Sequence, residues 1–415
     1  MGSKKTLFTG LLWLLILFLA LLFFNSPGTT DVDIWRSWTS HARDYGIVEG
    51  FAQNQADYPP LATVFLWGAM KLCRLFGIVS LFDAIKISIL VFLFATLLTF
   101  RLLTRDLLAT LLLCGAVFLN SMGLGYIDIY FAPFLIIALW ALKEKRWLMF
   151  SVFFTLACLV KWQPVIITPF IALYLLSITR ISDWRAIPIK TLLVRVILPA
   201  VVIGLGFAAV FGIVPIWQAF RASLSHHYLS GNALNFNWIL THLLHVLDPN
   251  QFGGLINGKA TYIVTDSFPI TIGSRLLFIG IYSITLVAFF RREKSYENFL
   301  LYTLTGFLAY FTFNIGVHEN HLFLAAVLAC LLLWVDRRHW LAVILIILMT
   351  NINLYAFYGV SGIEPSLMRV IGGKLDVALP LSVYNVIFFL CFWASTVFYP
   401  RPKAEIETNK IGALR

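Results

Sequence analysis

Five of the chain's twenty acidic residues lie in one polar stretch, 29–60: Asp31, Asp33, Asp44, Glu49 and Asp57. Asp31 and Asp33 stand at i and i+2 in Asp31-Val-Asp33-Ile-Trp35-Arg36-Ser-Trp38. In a loop, such carboxylates can face different ways, so one can take a proton while the other orients it. The same spacing also suits a solvated acidic segment that marks the end of a helix. Aromatics and a cation beside a carboxylate suit a sugar ring or a lipid phosphate, and Trp also favours the membrane interface. Asp57-Tyr58-Pro59-Pro60 ends the stretch as a rigid turn that launches a helix, because Pro is tolerated in a helix's first turn and restricts the residue before it.

Other candidates stand singly between apolar runs. Asp128 follows Gly123-Leu-Gly125-Tyr126-Ile, where a carboxylate serves either as a helix N-terminal cap or as a site residue. Lys161 opens Lys161-Trp162-Gln163-Pro164. A Lys bordering hydrocarbon snorkels to headgroups or holds a phosphate as a point charge. His318-Glu319-Asn320-His321 lacks the HExxH zinc pattern and an evident third ligand. Here Glu319 can keep His318 protonated for donation to phosphate oxygens. His226 and His227 are adjacent and point apart, as substrate ligands or as an ordinary loop pair.

The elements that position these residues are apolar. The 415-residue chain is 60% hydrophobic and 12% charged, against roughly 25% charged in soluble domains. Several apolar runs reach the ~20 residues that a spanning helix needs. The expected class is all-α: a polytopic transmembrane protein with about twelve crossings. These fall near 7–25, 84–104, 107–121, 128–142, 147–160, 165–179, 192–214, 271–290, 299–316, 321–335, 339–357 and 379–399. A single membrane domain, 1–399, then carries a first outer loop at 27–82, a long outer loop at 215–270 and a tail at 400–415. The segment 61–78, interrupted by Lys71 and Arg74, is expected as an interfacial helix. The run Leu7–Phe24 is longer than a signal-peptide core and is expected as a retained anchor.

Most Lys and Arg then fall on one side, including Lys143, Arg146, Arg291, Arg337 and Arg338, as the positive-inside rule requires. This accounts for the net charge of +11 without nucleic acid, for which no motif is present. Both termini are expected in the cytoplasm. Seven of the eight histidines, all but His339, join the first carboxylates on the outer face. The five cysteines lie in or beside apolar runs, with no CxxC, and point to neither disulfides nor metal.

Taken together, these motifs resemble the GT-C superfamily of integral-membrane glycosyltransferases, which use polyprenyl-phosphate sugars. The likeness is to dolichyl-phosphate-glucose-dependent glucosyltransferases and their bacterial polyprenol-phosphate-dependent relatives. It rests on Asp31, Asp33, Arg36 and Trp38, on Asp57 to Leu61, on Lys161, Gln163 and Pro169, and on Val317, His318 and Glu319, in order along 29–335. Asn320 stands where the family has a basic residue. The run Asn232-Ala-Leu-Asn235-Phe-Asn237-Trp238 is similar to one in bacterial members and suggests an inner membrane.

The resemblance implies a GT-C-like fold and an inverting hexosyl transfer, of mannose or glucose, to a glycan or glycolipid acceptor at the extracytoplasmic face. It implies Asp31 as base, with Asp33 second, and Lys161, His318 and Arg36 on the donor phosphate. Substrate contacts are expected from Trp38, Tyr58, Asp128, Gln163, His227, Asn235 and Glu319. No cofactor is required, although the paired acids are compatible with a divalent ion. Membrane lipids are the remaining partners. A flippase or a polymerase of lipid-linked saccharides is the alternative.

Overall fold

Backbone groups in hydrocarbon must satisfy one another, and a chain this apolar does so as helices. The computed structural model describes residues 2–54, 56–180, 185, 187–264, 268–362, 370–371 and 375–399. The expected tail, 400–415, lies outside them. The fold is all-α, apart from a minimal antiparallel pair, β1 (Val370–Ile371) with β2 (Leu375–Asp376).

The first half runs through α1 (Gly2–Leu22), α2 (Asp31–Asp44), α3 (Ile47–Gln53), α4 (Pro60–Leu75), α5 (Leu81–Thr104), α6 (Leu107–Phe118), α7 (Ala132–Lys143), α8 (Trp147–Val160) and α9 (Thr168–Leu176). There follow α10 (Ile189–Leu192), α11 (Leu198–Phe211), α12 (Ile213–Leu224), α13 (Phe236–Leu247) and α14 (Pro249–Phe252). The chain closes with α15 (Phe268–Phe290), α16 (Tyr296–Phe313), α17 (Leu322–Val335), α18 (Trp340–Tyr358) and α19 (Ala378–Val397).

Five described helical segments are long and apolar enough to cross a bilayer: Leu81–Thr104, Ile189–Phe211, Pro269–Phe290, Arg337–Tyr358 and Ala378–Val397. This supports an integral membrane protein and corrects the expectation of about twelve crossings. The difference has a physical cause. Several expected spans are apolar helices of 10–17 residues, among them Trp147–Val160, Gln163–Leu176 and Glu319–Val335. At about 1.5 Å per residue, such helices fall short of a ~30 Å hydrocarbon core.

The shortening comes from breaks. α6 gives way to a π-helical turn at Leu119–Gly123, then to Gly125 at φ +74°, then to a 3-10 turn at Ile127–Tyr130 before α7. α8 ends in extended backbone at Lys161, and Pro164 starts a 3-10 turn, Gln163–Ile167, that leads into α9. α16 ends at Asn314, and Gly316 (φ +65°) turns the chain into a 3-10 turn at Glu319–His321 ahead of α17. Breaks are tolerated at membrane depth where other groups take up the freed polar atoms. Lys86 does so for the π turn, donating to the Met122 carbonyl at 2.6 Å.

α17 is the centre of the bundle and is buried from Leu322 to Leu333. It packs against α6, α7, α16 and α18. Outward-facing Leu and Val on α11 (Val201, Val202, Leu205) and α15 (Leu276, Ile279, Val287) are exposed, as a surface facing hydrocarbon requires. α4 buries Leu61, Leu66, Met70 and Cys73 while exposing Leu72 and Leu75. The described part of the long loop carries structure of its own: α13 caps a small core of Leu234, Trp238, Ala260, Phe357 and Ala378.

The two ends of the bundle differ. α7 and α17 run from polar breaks to basic loops, and α8 runs from a basic loop to a break. At the basic end, Arg337 pairs with Asp106, and Lys143 lies 5.1 Å from the Trp334 ring centroid.

At the other end, the start of α2 is fixed by backbone. The Gly28 N–H donates to the Ser361 carbonyl and the Thr29 N–H to the Leu124 carbonyl, both at 3.0 Å. Gly362, at φ +88°, approaches so closely that an added Cβ would stand 1.9 Å from the Gly28 oxygen. Gly362→Ala is therefore expected to cost at least about 2 kcal/mol through displaced backbone and left-handed strain. Thermal melting of the purified variant checks this, and an unchanged melt contradicts it.

Candidate functional site

The second and third breaks and the start of α2 meet around a cavity of about 770 Å³, with the first break behind it. Asp31, Asp57, Tyr58, Lys161, Gln163, His226, His318 and Glu319 line it. They come from five separate stretches of the chain.

The α2 helix explains the division between its two aspartates. Residues two apart on a helix project about 200° apart. Asp31 turns into the cavity, and Asp33 faces out with its side chain 77% exposed. Arg36, one turn on, shares that outer face and pairs with Asp33 at 3.1 Å. Asp33 and Arg36 therefore satisfy each other away from the cavity. Trp38 is buried between Trp35 and Tyr58, at ring-centroid distances of 4.8 and 5.6 Å, and supports the wall from behind. The Trp35 indole donates to the Gly125 carbonyl at 3.2 Å, tying α2 to the first break.

Asp128 and Lys161 form a buried ion pair beneath the cavity. Asn120 donates to the second Asp128 oxygen at 3.3 Å, and the Tyr58 hydroxyl lies 3.5 Å from the first. The Lys161 ammonium also stands 5.1 Å from the Tyr58 ring centroid. The lysine charge is thus matched and is not a free point charge for phosphate.

The His-Glu cluster differs from expectation. Glu319 accepts from the Tyr126 hydroxyl, not from His318. His318 instead meets His226, with ring nitrogens 3.3 Å apart, and His226 reaches Asp57 at 3.3 Å. Burial, aided by the neighbouring His226, pushes the His318 imidazolium down to about 4, so the ring is neutral at pH 7. A protonated His318 donating to phosphate is therefore not what this packing favours. The close fit depends on Gly231, whose N–H donates to the Val317 carbonyl at 2.8 Å. A Cβ there would stand 2.6 Å from His318 Nδ1.

The remaining carboxyl groups differ in environment. Burial, together with Asp57, raises Asp31 to about 6. Burial, together with Asp31, raises Glu319 to about 7. Burial pushes Asp57 up, but the hydrogen bond and charge of His226, a backbone hydrogen bond and His318 together outweigh it, and Asp57 lies below the ordinary aspartate value. No hydrogen bond holds the Asp31 carboxylate among the described residues.

Besides Trp38 behind the wall and Asp128 beneath it, two expected substrate contacts lie away from the cavity. Asn235 caps α13 by accepting from the Trp238 N–H at 3.0 Å and donates to the Phe311 carbonyl at 2.9 Å, so its amide is spent on structure. His227 is exposed and does not line the cavity. Among the described residues, no three His, Cys, Asp or Glu side chains gather to hold a metal ion. A second cavity, of about 1080 Å³, lies at the basic end between α16, α18 and α19 and holds none of the expected site residues.

Arg275, His321 and Tyr310 also line this 770 Å³ cavity. Tyr310 and His321 are joined at 3.1 Å. Arg275 had a legible signal, since an Arg inside an apolar run is a functional candidate by default. Tyr310 had none, being one aromatic among many on α16.

No known family model matches the chain, and no curated protein is significantly similar to it.

Removing one partner of a buried pair strands the other charge, at a cost of about 3–5 kcal/mol. Lys161→Met is expected to lose stability on that scale, and Lys161→Met with Asp128→Asn is expected to regain most of it. Denaturation of both purified variants checks this. A double variant no more stable than the single one contradicts it.

Proposed function

We propose that this protein is an inverting glycosyltransferase of a bacterial inner membrane. In this reading it moves a hexose, mannose or glucose, from a polyprenyl-phosphate carrier to a glycan or lipid-linked acceptor on the extracytoplasmic face. The observation that carries the proposal is Asp31. It is a carboxylate with no hydrogen-bond partner among the described residues, open to a cavity at the end of an apolar bundle.

The chemistry follows from that carboxylate. An acceptor hydroxyl oxygen attacks the anomeric carbon as the bond from that carbon to the phosphate oxygen breaks. The bonding pair leaves on the polyprenyl phosphate, and Asp31 takes the hydroxyl proton. A general base works best with a pKa near the operating pH, and Asp31, raised to about 6, meets that condition while remaining ionised at pH 7. Direct attack by a single acceptor inverts the anomeric centre, as in single-displacement glycosidases.

The environment that tunes Asp31 also destabilises its charge. Its folded pKa lies above the unfolded value, so the stability it contributes is full below pH 3.8 and is lost as pH rises through about 6. Asp31→Asn is therefore expected to melt no lower than the parent at pH 7.5, and to lose any advantage near pH 4. Purified protein supplied with labelled polyprenyl-phosphate mannose and glucose should release the sugar to acceptor, and Asp31→Asn should abolish that release. Wild-type turnover should fall as pH drops through about 6. The same acid limb should persist in Glu319→Gln, which removes the neighbouring carboxyl raised to about 7. A flippase needs no base, so sugar release that depends on Asp31 separates the two readings. Near-normal turnover in Asp31→Asn removes Asp31 from the role.

A further inference from the structure

A leaving phosphate requires a cation, and the one beneath the cavity is already matched, because Lys161 is buried against Asp128. Another cation lines the cavity. Arg275 sits near the start of α15, exposed, with neither an ion pair nor a hydrogen bond among the described residues. An unmatched guanidinium on an apolar spanning helix is costly unless something anionic meets it.

Its placement is fixed by its own helix. Phe278, one turn on and therefore on the same face, packs against Tyr310 with ring centroids 5.8 Å apart. Tyr282, one turn further, donates to the Ile166 carbonyl at 2.5 Å. These contacts hold α15 against α16 and the Gln163–Ile167 turn, so Arg275 borders the same cavity as Asp31.

The rest of the wall has a different character. Gln163 is 6% exposed and Asn320 5%. The Gln163 Oε1 and Nε2, the Asn320 Oδ1 and the Trp162 Nε1 are all buried without a hydrogen-bond partner. All three residues line the cavity. Buried polar groups are normally paired, and an unpaired set around a cavity calls for a ligand. Neutral donors and acceptors together suit hydroxyl groups, whereas the planar guanidinium suits two phosphate oxygens at once. Asp31, Asp57 and Glu319 on the cavity wall disfavour an anion near them. At the same rim, Val165 and Leu224 present exposed apolar side chains.

We infer that Arg275, and not Lys161, holds the phosphate of a lipid-linked substrate, while Gln163, Asn320 and Trp162 receive the hydroxyls of its sugar. This rests on the transferase reading above and names the group that binds the substrate's anion. The apolar rim selects a phosphate that carries a hydrocarbon chain over a free one.

The test uses the full-length protein in phosphatidylcholine nanodiscs, with native mass spectrometry as readout. The probes are a short-chain polyprenyl monophosphate, the matching uncharged polyprenol, phosphatidylglycerol and inorganic phosphate. Arg275→Gln is expected to weaken polyprenyl phosphate by about ten- to a hundredfold, the scale of a charged hydrogen bond. Polyprenol binding should not change, and Arg275→Lys should fall between. Arg74→Gln, on the exposed end of α4, should bind as wild type. Wild-type affinity in Arg275→Gln overturns the assignment. So does phosphatidylglycerol or inorganic phosphate competing as well as the polyprenyl phosphate, which would mark a headgroup contact or a free-anion site. Sugar release that depends on Asp31, with an unchanged donor KM in Arg275→Gln, sinks the phosphate assignment and leaves the transferase standing. Binding that depends on Arg275, without sugar release from any donor, sinks the transferase and leaves the phosphate site standing.

Discussion

The ion pair between Lys161 and Asp128 joins two of the three breaks in the bundle, and Tyr58 reaches it from the first polar stretch. Neither charge is tolerable alone at that depth, since unpaired buried ions cost several kcal/mol. Each break frees backbone polar groups and shortens a helix. The pair makes that arrangement tolerable by giving the α6–α7 and α8–α9 junctions a common, buried contact. Glu319 extends the set from the third break through Tyr126, which lies only two residues before Asp128. The cavity floor is therefore a polar network built from helix ends, and the broken helices exist to deliver it.

This construction sorts the carboxyl groups by environment. Asp128 is consumed by Lys161, and Asp57 is held down by His226. Glu319 is raised but engaged by Tyr126. Asp31 remains raised and without a hydrogen bond among the described residues, the environment that the proposed base role requires. The cations divide the same way: Lys161 is structural in its charge, and Arg275 is open.

The sequence made the region of the site legible more readily than its internal wiring. Asp31, Tyr58, Asp128, Lys161, Gln163, His318 and Glu319 meet within one cavity or its floor, because polar residues in an apolar chain have few places to go. What spacing could not reveal was partnership. Asp33 and Arg36 look like site residues until a helix puts them on the outer face together. Asn235 carries an amide that a cap consumes. Asp57 reads as a turn residue before Pro59 and Pro60, which do open α4, yet it also lines the cavity and meets His226. The helix count was over-read for a different reason. Composition marks where a chain is apolar, and the expected boundaries near Gly125, Pro164 and Gly316 do fall at breaks, but segments such as Trp147–Val160 and Glu319–Val335 are too short to cross the hydrocarbon core.

The central claim is that the outer cavity holds a lipid-linked sugar with its phosphate at α15. A photoactivatable polyprenyl-phosphate hexose, crosslinked to the purified protein and mapped by peptide mass spectrometry, tests it most directly. The account predicts labels in 163–166, 220–224, 275–278 and 315–321, all competed by unlabelled donor. Labels confined to the basic-end cavity around Arg292, Arg338 and Tyr399 would contradict it.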